Sequence, residues 1–230
     1  MFSIFYSLAL LTSGAIAHPT FNQIRDSSTI SSSQGFTLVA NITDLSKDLT
    51  PSVNHWKLTG VHVGAGIDTA ILNPGDPGTV FFENGTDDNI GLATDGYPYA
   101  WGLYIVRSSS TEQQPDPDPV DWVGMRLGVA QPGIGIISGP SPQVYTPDVG
   151  TFIICNETKP AYGRPQYPVK FVRPSSVPGG AMQLVIPDLC APITLLPQCA
   201  TLNPIGDDAR YNHDYVRTVP CYDDVASIKW

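Results

Sequence analysis

Apolar and polar side chains alternate along many short stretches of this chain, as they do in strands that bury one face. The clearest case is residues 122–129, where every second position is apolar: Val123, Met125, Leu127 and Val129. The intervening positions hold Trp122, Gly124, Arg126 and Gly128. We predict that the first set faces a core and that the second faces away from it.

Nine further stretches have a strand-like pattern: 36–39, 55–63, 79–82, 99–106, 134–137, 151–155, 169–172, 182–186 and 194–196. The 21 glycines and 22 prolines punctuate the whole chain, and no segment keeps a helical period. The chain is therefore predicted to be all-β, an antiparallel β-sandwich or flattened barrel of short strands. Within 55–63 the alternation changes phase, which predicts a β-bulge at Thr59-Gly60.

The composition divides the chain into four parts. Residues 1–17 have the apolar run and the small residues of a secretory signal peptide, with cleavage after Ala17. Residues 18–34 are rich in Ser and Thr and are expected to form a flexible lead-in. A β domain is expected over 35–197, followed by an irregular, disulfide-linked tail over 198–230. We expect a secreted, extracellular protein without a membrane anchor.

The net charge of −9 changes the range of possible partners. It argues against nucleic acid, because phosphates attract a basic surface. Three Asn-x-Thr sequons, at Asn41, Asn84 and Asn156, support export and predict N-glycosylation. A glycosylated residue must lie on the surface, so all three are expected there.

Four cysteines lie in the last third of the chain: Cys155, Cys190, Cys199 and Cys221. An even number of cysteines in an exported chain predicts two disulfides. Four cysteines allow three pairings, and the spacing alone does not choose among them.

Several short motifs follow one another in a distinctive order. A turn of sequence His-x-Gly-Ala-Gly at 62–66 leads into a short apolar strand, and Trp101-Gly102-Leu103 comes later. A strand that follows Gly150 then ends at Cys155, and Cys190 precedes an apolar stretch at 193–196, where the matched region ends. Over about residues 35–197 this order resembles a family of small secreted fungal proteins catalogued as a domain of unknown function.

The resemblance implies a fungal source, export and a compact β domain. It implies a pairing of Cys155 with Cys190, which leaves Cys199 for Cys221. The long segment between Cys155 and Cys190, the second cysteine pair and the tail depart from the family pattern. The family brings no known activity, so the function has to come from the residues.

Two histidines are candidate metal ligands. Cleavage after Ala17 would make His18 the first residue, and its amine and imidazole together could bind copper beside a second histidine. The Ser-rich lead-in separates His18 from the core, which favours a terminal residue without a copper function. For His62 a hydrogen bond to the Gly64–Gly66 turn is favoured over a metal-binding or catalytic role. No cofactor is expected.

Paired acidic residues suggest an acid hydrolase, which needs two carboxyl groups flanking a sugar cleft. The pairs are Asp87-Asp88, Asp116 with Asp118, Asp207-Asp208 and Asp223-Asp224. All of them fall in predicted turns or in the tail, so solvated loops are the better interpretation.

Aromatic residues offer the remaining candidates for ligand binding. Tyr97, Tyr99 and Trp101 share one parity, and an exposed row of rings could stack on sugars. Apolar residues continue that parity, which favours a core position for Trp101. Tyr97 and Tyr99 are therefore candidate ligand-binding residues, and Trp122 is a further candidate as an alternative surface anchor.

We expect a secreted glycoprotein that binds an extracellular ligand without catalysis, either cell-wall polysaccharide or a protein. The alternative is a secreted enzyme. It would be either a copper-dependent oxidoreductase that uses His18 or an acid hydrolase that uses paired aspartates.

Overall fold

The computed structural model describes residues 29–87, 89–96, 98–107, 120–128, 130–159, 164–176 and 180–228. Its strands are β1 (Ile30–Ser33), β2 (Gly35–Ile42), β3 (Lys57–Gly64), β4 (Ile67–Asn73), β5 (Val80–Asn84), β6 (Gly91–Thr94), β7 (Trp101–Val106), β8 (Val120–Leu127), β9 (Gly135–Ile136), β10 (Val144–Tyr145), β11 (Thr151–Cys155), β12 (Glu157–Lys159), β13 (Arg164–Gln166), β14 (Val169–Val172), β15 (Ser175–Ser176), β16 (Met182–Gln183), β17 (Cys190–Ala200), β18 (Val216–Arg217) and β19 (Val219–Tyr222). In these ranges the helical elements are two short 3₁₀ turns, Leu45–Lys47 and Val225–Ser227. None of the described helices is long and apolar enough to cross a membrane.

Antiparallel pairing closes the main sheet on itself. The ring runs β2–β5–β6–β7–β8–β14–β11–β17 and returns to β2. The hairpin of β3 and β4 joins β2 to β8, because β3 pairs with the former and β4 with the latter. The predicted all-β fold is confirmed, and the closed sheet corresponds to the barrel alternative of that prediction.

A single large apolar cluster fills the barrel. Its fully buried members include Phe36, Leu58, Phe81 and Leu103, which come from four different strands of the closed sheet. Inward side chains alternate with outward ones along β8, so that Val123 and Met125 are buried while the ring of Trp122 stays partly exposed. The predicted inner face is confirmed for Val123 and Met125. It is wrong for Leu127, which is 44% exposed at the end of β8, and Val129 lies outside the described residues.

The β-bulge lies further along β3 than the sequence pattern predicts. Thr59 and Gly60 pair regularly with Ile71 and Ala70, and the register shifts only between His62 and Gly64. The prediction at Thr59-Gly60 is wrong, because the strand pairing is regular there. The glycine at position 60 is explained by close packing and not by a bulge. A Cβ there would lie 2.4 Å from Met125 Cε and 2.8 Å from Asp68 Oδ2.

Regular structure extends beyond residues 35–197 at both ends. Strand β1, inside the segment expected to be flexible, pairs with β19 from Ile30–Tyr222 to Ser33–Val219. Strand β17 crosses the expected boundary after residue 197 without interruption. Strand β1 is not predictable from an apolar pattern, because it pairs through its backbone and its side chains are exposed or partly exposed.

Both disulfides are present, with the pairing that the resemblance implies. Cys155 and Cys190 occupy directly opposed positions on β11 and β17. Cys199, near the end of β17, is joined to Cys221 in β19. The second bond fastens the C-terminal region to the barrel, as expected for a disulfide-linked tail.

A buried carboxyl group lies at the β5 side of the barrel. The side chain of Glu83 is 5% exposed, and its Oε2 accepts a hydrogen bond of 2.8 Å from the Ile136 amide. Its Oε1 lies 3.4 Å from Arg217 Nε. Burial raises the pKa of Glu83, although the amide and Arg217 partly oppose that rise.

We expect Glu83→Gln to change the pH dependence of stability. The native protein holds the Glu83 proton to higher pH than the unfolded chain, whose pKa is near 4.5. Wild-type stability should therefore fall relative to the variant as pH rises from about 4.5 through the native pKa. Urea unfolding of both proteins between pH 4 and pH 7 checks this. Parallel stability curves would contradict the raised pKa.

We expect loss of the Cys199–Cys221 bond to destabilise the fold. The bond closes a loop with a sequence separation of 22, so replacing both cysteines by Ala should cost about 3 kcal/mol of unfolding free energy. Urea unfolding under oxidising conditions measures this loss. A loss below about 1 kcal/mol would show that strand pairing alone holds the C-terminal region.

Candidate ligand-binding site

Two aromatic side chains lie diagonally across the β7–β8 pair and line one pocket on the outer face of the barrel. Tyr104 of β7 is opposite Gly124, and Val106 is opposite Trp122, so both rings belong to one outward row shared by β7 and β8. Tyr104 and Trp122 are each partly buried and partly exposed. The outer face of β7 and β8 therefore carries two partly exposed aromatic side chains.

Gly124 makes this arrangement possible. A Cβ at this position would lie 3.1 Å from Tyr104 Oη and 3.2 Å from its Cε1. It would also lie 2.8 Å from the backbone oxygen of Asp68, on the other neighbouring strand. Only a glycine lets the tyrosine ring lie over the strand at this distance.

The hairpin of β3 and β4 forms the other side of a pocket of about 240 Å³. We call it the Trp122 pocket, defined by Val63, Ile67, Asp68, Thr69, Tyr104 and Trp122. Val63 and Ile67 are exposed apolar side chains, and Asp68 and Thr69 supply oxygen atoms. The pocket therefore combines aromatic faces with groups that hydrogen-bond hydroxyls.

A cationic group lies over each ring, so one face of each ring already has a partner. The guanidinium carbon of Arg126 is 5.4 Å from the centroid of Tyr104, and Lys170 Nζ is 4.6 Å from the centroid of Trp122. Lys170 is held there by Glu157, whose Oε1 is 2.6 Å from Nζ. Burial raises the pKa of Tyr104, Arg126 lowers it and Asp68 raises it, with a net upward shift. Its phenol is thus a hydrogen-bond donor throughout the neutral range.

His62 contacts this pocket through Asp68. Its Nδ1 lies 3.1 Å from Asp68 Oδ1 across the β3–β4 pair, and its side chain is 67% exposed. The predicted hydrogen bond to the glycine turn is therefore replaced by one to a carboxylate. In the described part of the chain no group of three or more His, Cys, Asp or Glu side chains could hold a metal ion. His18 lies outside the described residues.

Among the predicted aromatic residues that the structure describes, Tyr99 and Trp122 lie at opposite ends of β7. Tyr97 lies outside the described residues, and Tyr99 precedes the first residue of β7, whereas Trp122 pairs with the last one. Tyr99 is 37% exposed and has Arg210 6.0 Å from its ring centroid. Trp101 packs against the core, as its parity predicts.

The acidic pairs are used in different ways. Asp87 makes a 3.0 Å ion pair with Arg217 Nη1, and Asp224 accepts a hydrogen bond of 3.0 Å from the Ala226 amide at the start of a 3₁₀ turn. Asp207, Asp208 and Asp223 are exposed. Asp88, Asp116 and Asp118 lie outside the described residues.

The three sequon asparagines differ in accessibility. Asn41 is 7% exposed within β2, so its position in the folded barrel differs from the surface position expected of a glycosylated residue. Asn84 and Asn156 are partly exposed.

Sequence reasoning identified Trp122 but missed Tyr104, Asp68 and Lys170. The alternation in β7 and β8 contains the signal for Tyr104, because it has the opposite parity to the buried Leu103 and Ile105. Lys170 is invisible to such a pattern, since it sits in an apolar strand and only the pairing of β14 with β8 brings it opposite Trp122.

Comparisons with known proteins give a family but no activity. The family model described as "Domain of unknown function (DUF7907)" matches residues 33–199. A relative named "Antigenic protein SchS34", from Stachybotrys chartarum, is 32% identical over 213 residues, which cover 87% of this chain and 90% of the relative. No solved structure matches.

We expect Gly124→Ala to distort the Trp122 pocket. The added methyl group has backbone on one side and the Tyr104 ring on the other, so overpacking should cost about 1–3 kcal/mol of unfolding free energy. Urea unfolding followed by tryptophan fluorescence measures this cost. Gly64→Ala is the matched control, because apart from its two chain neighbours no described residue has an atom within 4 Å of the position that its Cβ would take. Equal stability of both variants would contradict the close approach at Gly124.

Proposed function

The chain belongs to the family described as DUF7907, and because that description assigns no activity, we propose a function from the chain's own side chains. The protein is a secreted, non-catalytic binding protein of the extracellular space. Its ligand is a neutral cell-wall polysaccharide, which it binds in the Trp122 pocket.

The presence of Tyr104 and Trp122 in the lining of one outer-face pocket is the observation that supports this proposal most strongly. A sugar ring has an apolar face and a polar edge, so it needs an aromatic surface beside hydrogen-bonding groups. The Trp122 pocket provides both, with Asp68 and Thr69 beside the rings. The opening lies on an outer face of the sheet, where a polymer could continue beyond the pocket on either side.

The charges favour a neutral ligand over an anionic one. The whole chain carries −9, which repels polyanions at a distance. Within the site, Asp68 is paired with His62 and Lys170 with Glu157, so neither ion offers an isolated charge to a charged partner. Hydroxyl groups of a neutral sugar can share these hydrogen-bonding atoms without breaking the pairs.

A secreted location agrees with the two disulfides, since such bonds persist in oxidising compartments. A relative that is named for its antigenicity agrees with exposure outside the cell. Both observations support an encounter with cell-wall material.

We expect Trp122→Ala to weaken binding to polysaccharide at least about tenfold, a loss of about 1.4 kcal/mol. The test is co-sedimentation of the purified protein with insoluble chitin, β-glucan and cellulose, with assay of the supernatant for soluble sugar. Wild-type protein should bind at least one of the three without releasing sugar.

Tyr215→Ala is the matched control, because Tyr215 is a 61% exposed aromatic residue outside the pocket. It should bind as the wild type does. Failure of the wild type to bind any of the three polymers, or equal binding by Trp122→Ala, would contradict the proposal. Release of soluble sugar would indicate an enzyme instead.

A further inference from the structure

A second pocket lies where the C-terminal region packs over β5, β6 and β7. It has a volume of about 310 Å³, and the side chains that line it include Phe82, Asn84, Tyr99, Arg210, Tyr211 and Asn212. We call it the Asn84 pocket. Its volume is at the lower end of the range of about 300–1,000 Å³ that is usual for small ligands, which suits a small sugar unit.

Hydrogen bonds fix both walls of the Asn84 pocket. The backbone amide of Arg210 donates to the backbone oxygen of Pro98 at 2.8 Å, and that of Gly85 donates to the backbone oxygen of Tyr215 at 3.1 Å. His213 Nε2 is 2.8 Å from Asp95 Oδ1, and its ring is 4.9 Å from that of Phe82. The pocket is thus built into the fold and does not depend on a single loose loop.

Asn84 places a glycosylation sequon inside this pocket. It is the last residue of β5 and is partly exposed, and Thr86, the third residue of the sequon, is exposed. The Asn84 Oδ1 atom is buried and has no hydrogen-bond partner within the described residues. Asn84 therefore lines the pocket as a partly exposed residue, while its side-chain oxygen is enclosed by protein.

The surroundings of Asn84 suit a sugar residue. Tyr99 and Tyr211 supply aromatic surface, and Asn89 and Asn212 supply amide groups. Burial, together with the charge of Asp95 and a hydrogen bond to it, raises the pKa of Tyr211 to about 12, so its phenol stays protonated. Gly85, Gly91 and Gly128 line the rest of the pocket, and the position that a Cβ of Gly128 would take is open space.

We propose that Asn84 carries an N-linked glycan whose first sugar, an N-acetylhexosamine, lies in the Asn84 pocket. In the attachment reaction the amide nitrogen of Asn84 loses a proton and bonds to the anomeric carbon of a lipid-linked diphosphate sugar. The diphosphate leaves with the electrons of the broken C–O bond, so nothing is oxidised or reduced. The proposal does not depend on the Trp122 pocket.

The test uses full-length protein secreted by a eukaryotic host. Peptide mapping by mass spectrometry measures glycan occupancy at Asn84, and native digestion with a peptide N-glycosidase measures its release. We expect Asn84 to be occupied and its glycan to be released at least about tenfold faster from Tyr99→Ala than from wild type. Tyr215→Ala should match wild type, because the Tyr215 side chain does not line the pocket and the hydrogen bond from Gly85 goes to the backbone oxygen, which the substitution keeps.

A second pair of variants tests the same proposal if Tyr99→Ala fails to fold. Thr86→Ala removes the sequon and leaves Asn84 in place, whereas Thr86→Ser keeps the sequon. We expect Thr86→Ala to melt about 2–4 °C below Thr86→Ser, which corresponds to the loss of roughly 1 kcal/mol of contacts.

Three results would overturn the proposal. They are an unmodified Asn84 in the secreted protein, equal glycan release from wild type and Tyr99→Ala, and equal melting of the two Thr86 variants. Binding of free N-acetylglucosamine to protein with an unmodified Asn84 would make the pocket a ligand site instead.

Discussion

The pairing of β17 with β2 is the interaction on which the rest of the barrel depends. Eight consecutive residue pairs, from Ile193–Ile42 to Ala200–Gly35, close the sheet, and every residue of β2 is buried. Strand β17 also pairs with β11 and β19, and it contributes one cysteine to each disulfide. Hydrogen bonding, core formation and covalent linkage therefore meet in one strand, and the outer faces of β7 and β8 are fixed only because that strand closes the ring.

The amino-acid pattern predicts the fold class and most inward-facing strands, since alternation records which side chains the core needs. It does not predict β1, whose Ser-rich sequence pairs through its backbone alone, or the position of the bulge in β3. Val63, at the register shift in β3, is exposed and lines the Trp122 pocket, which a strand alternation read from sequence alone does not reveal.

The candidate sites show the same division between local and long-range information. Trp122 can be assigned to an outer face from β8 alone, and a sequon identifies Asn84 from three residues. The partners of these residues come from distant parts of the chain: Lys170 reaches Trp122 through β14, and Tyr211 reaches the Asn84 pocket through the C-terminal region. Trp122 and Asn84 can thus be identified from the sequence, whereas their neighbours Lys170 and Tyr211 follow only from strand order and register.

Closure of the barrel also constrains how the protein can be made. Strand β2 pairs with β17, which lies close to the other end of the chain, so most of the chain must be synthesised before the two strands can meet. Contacts this distant in sequence slow folding and leave apolar strand edges open during translation. Until β17 is synthesised, the β17-facing edges of β2 and β11 have no partner and neither disulfide can form.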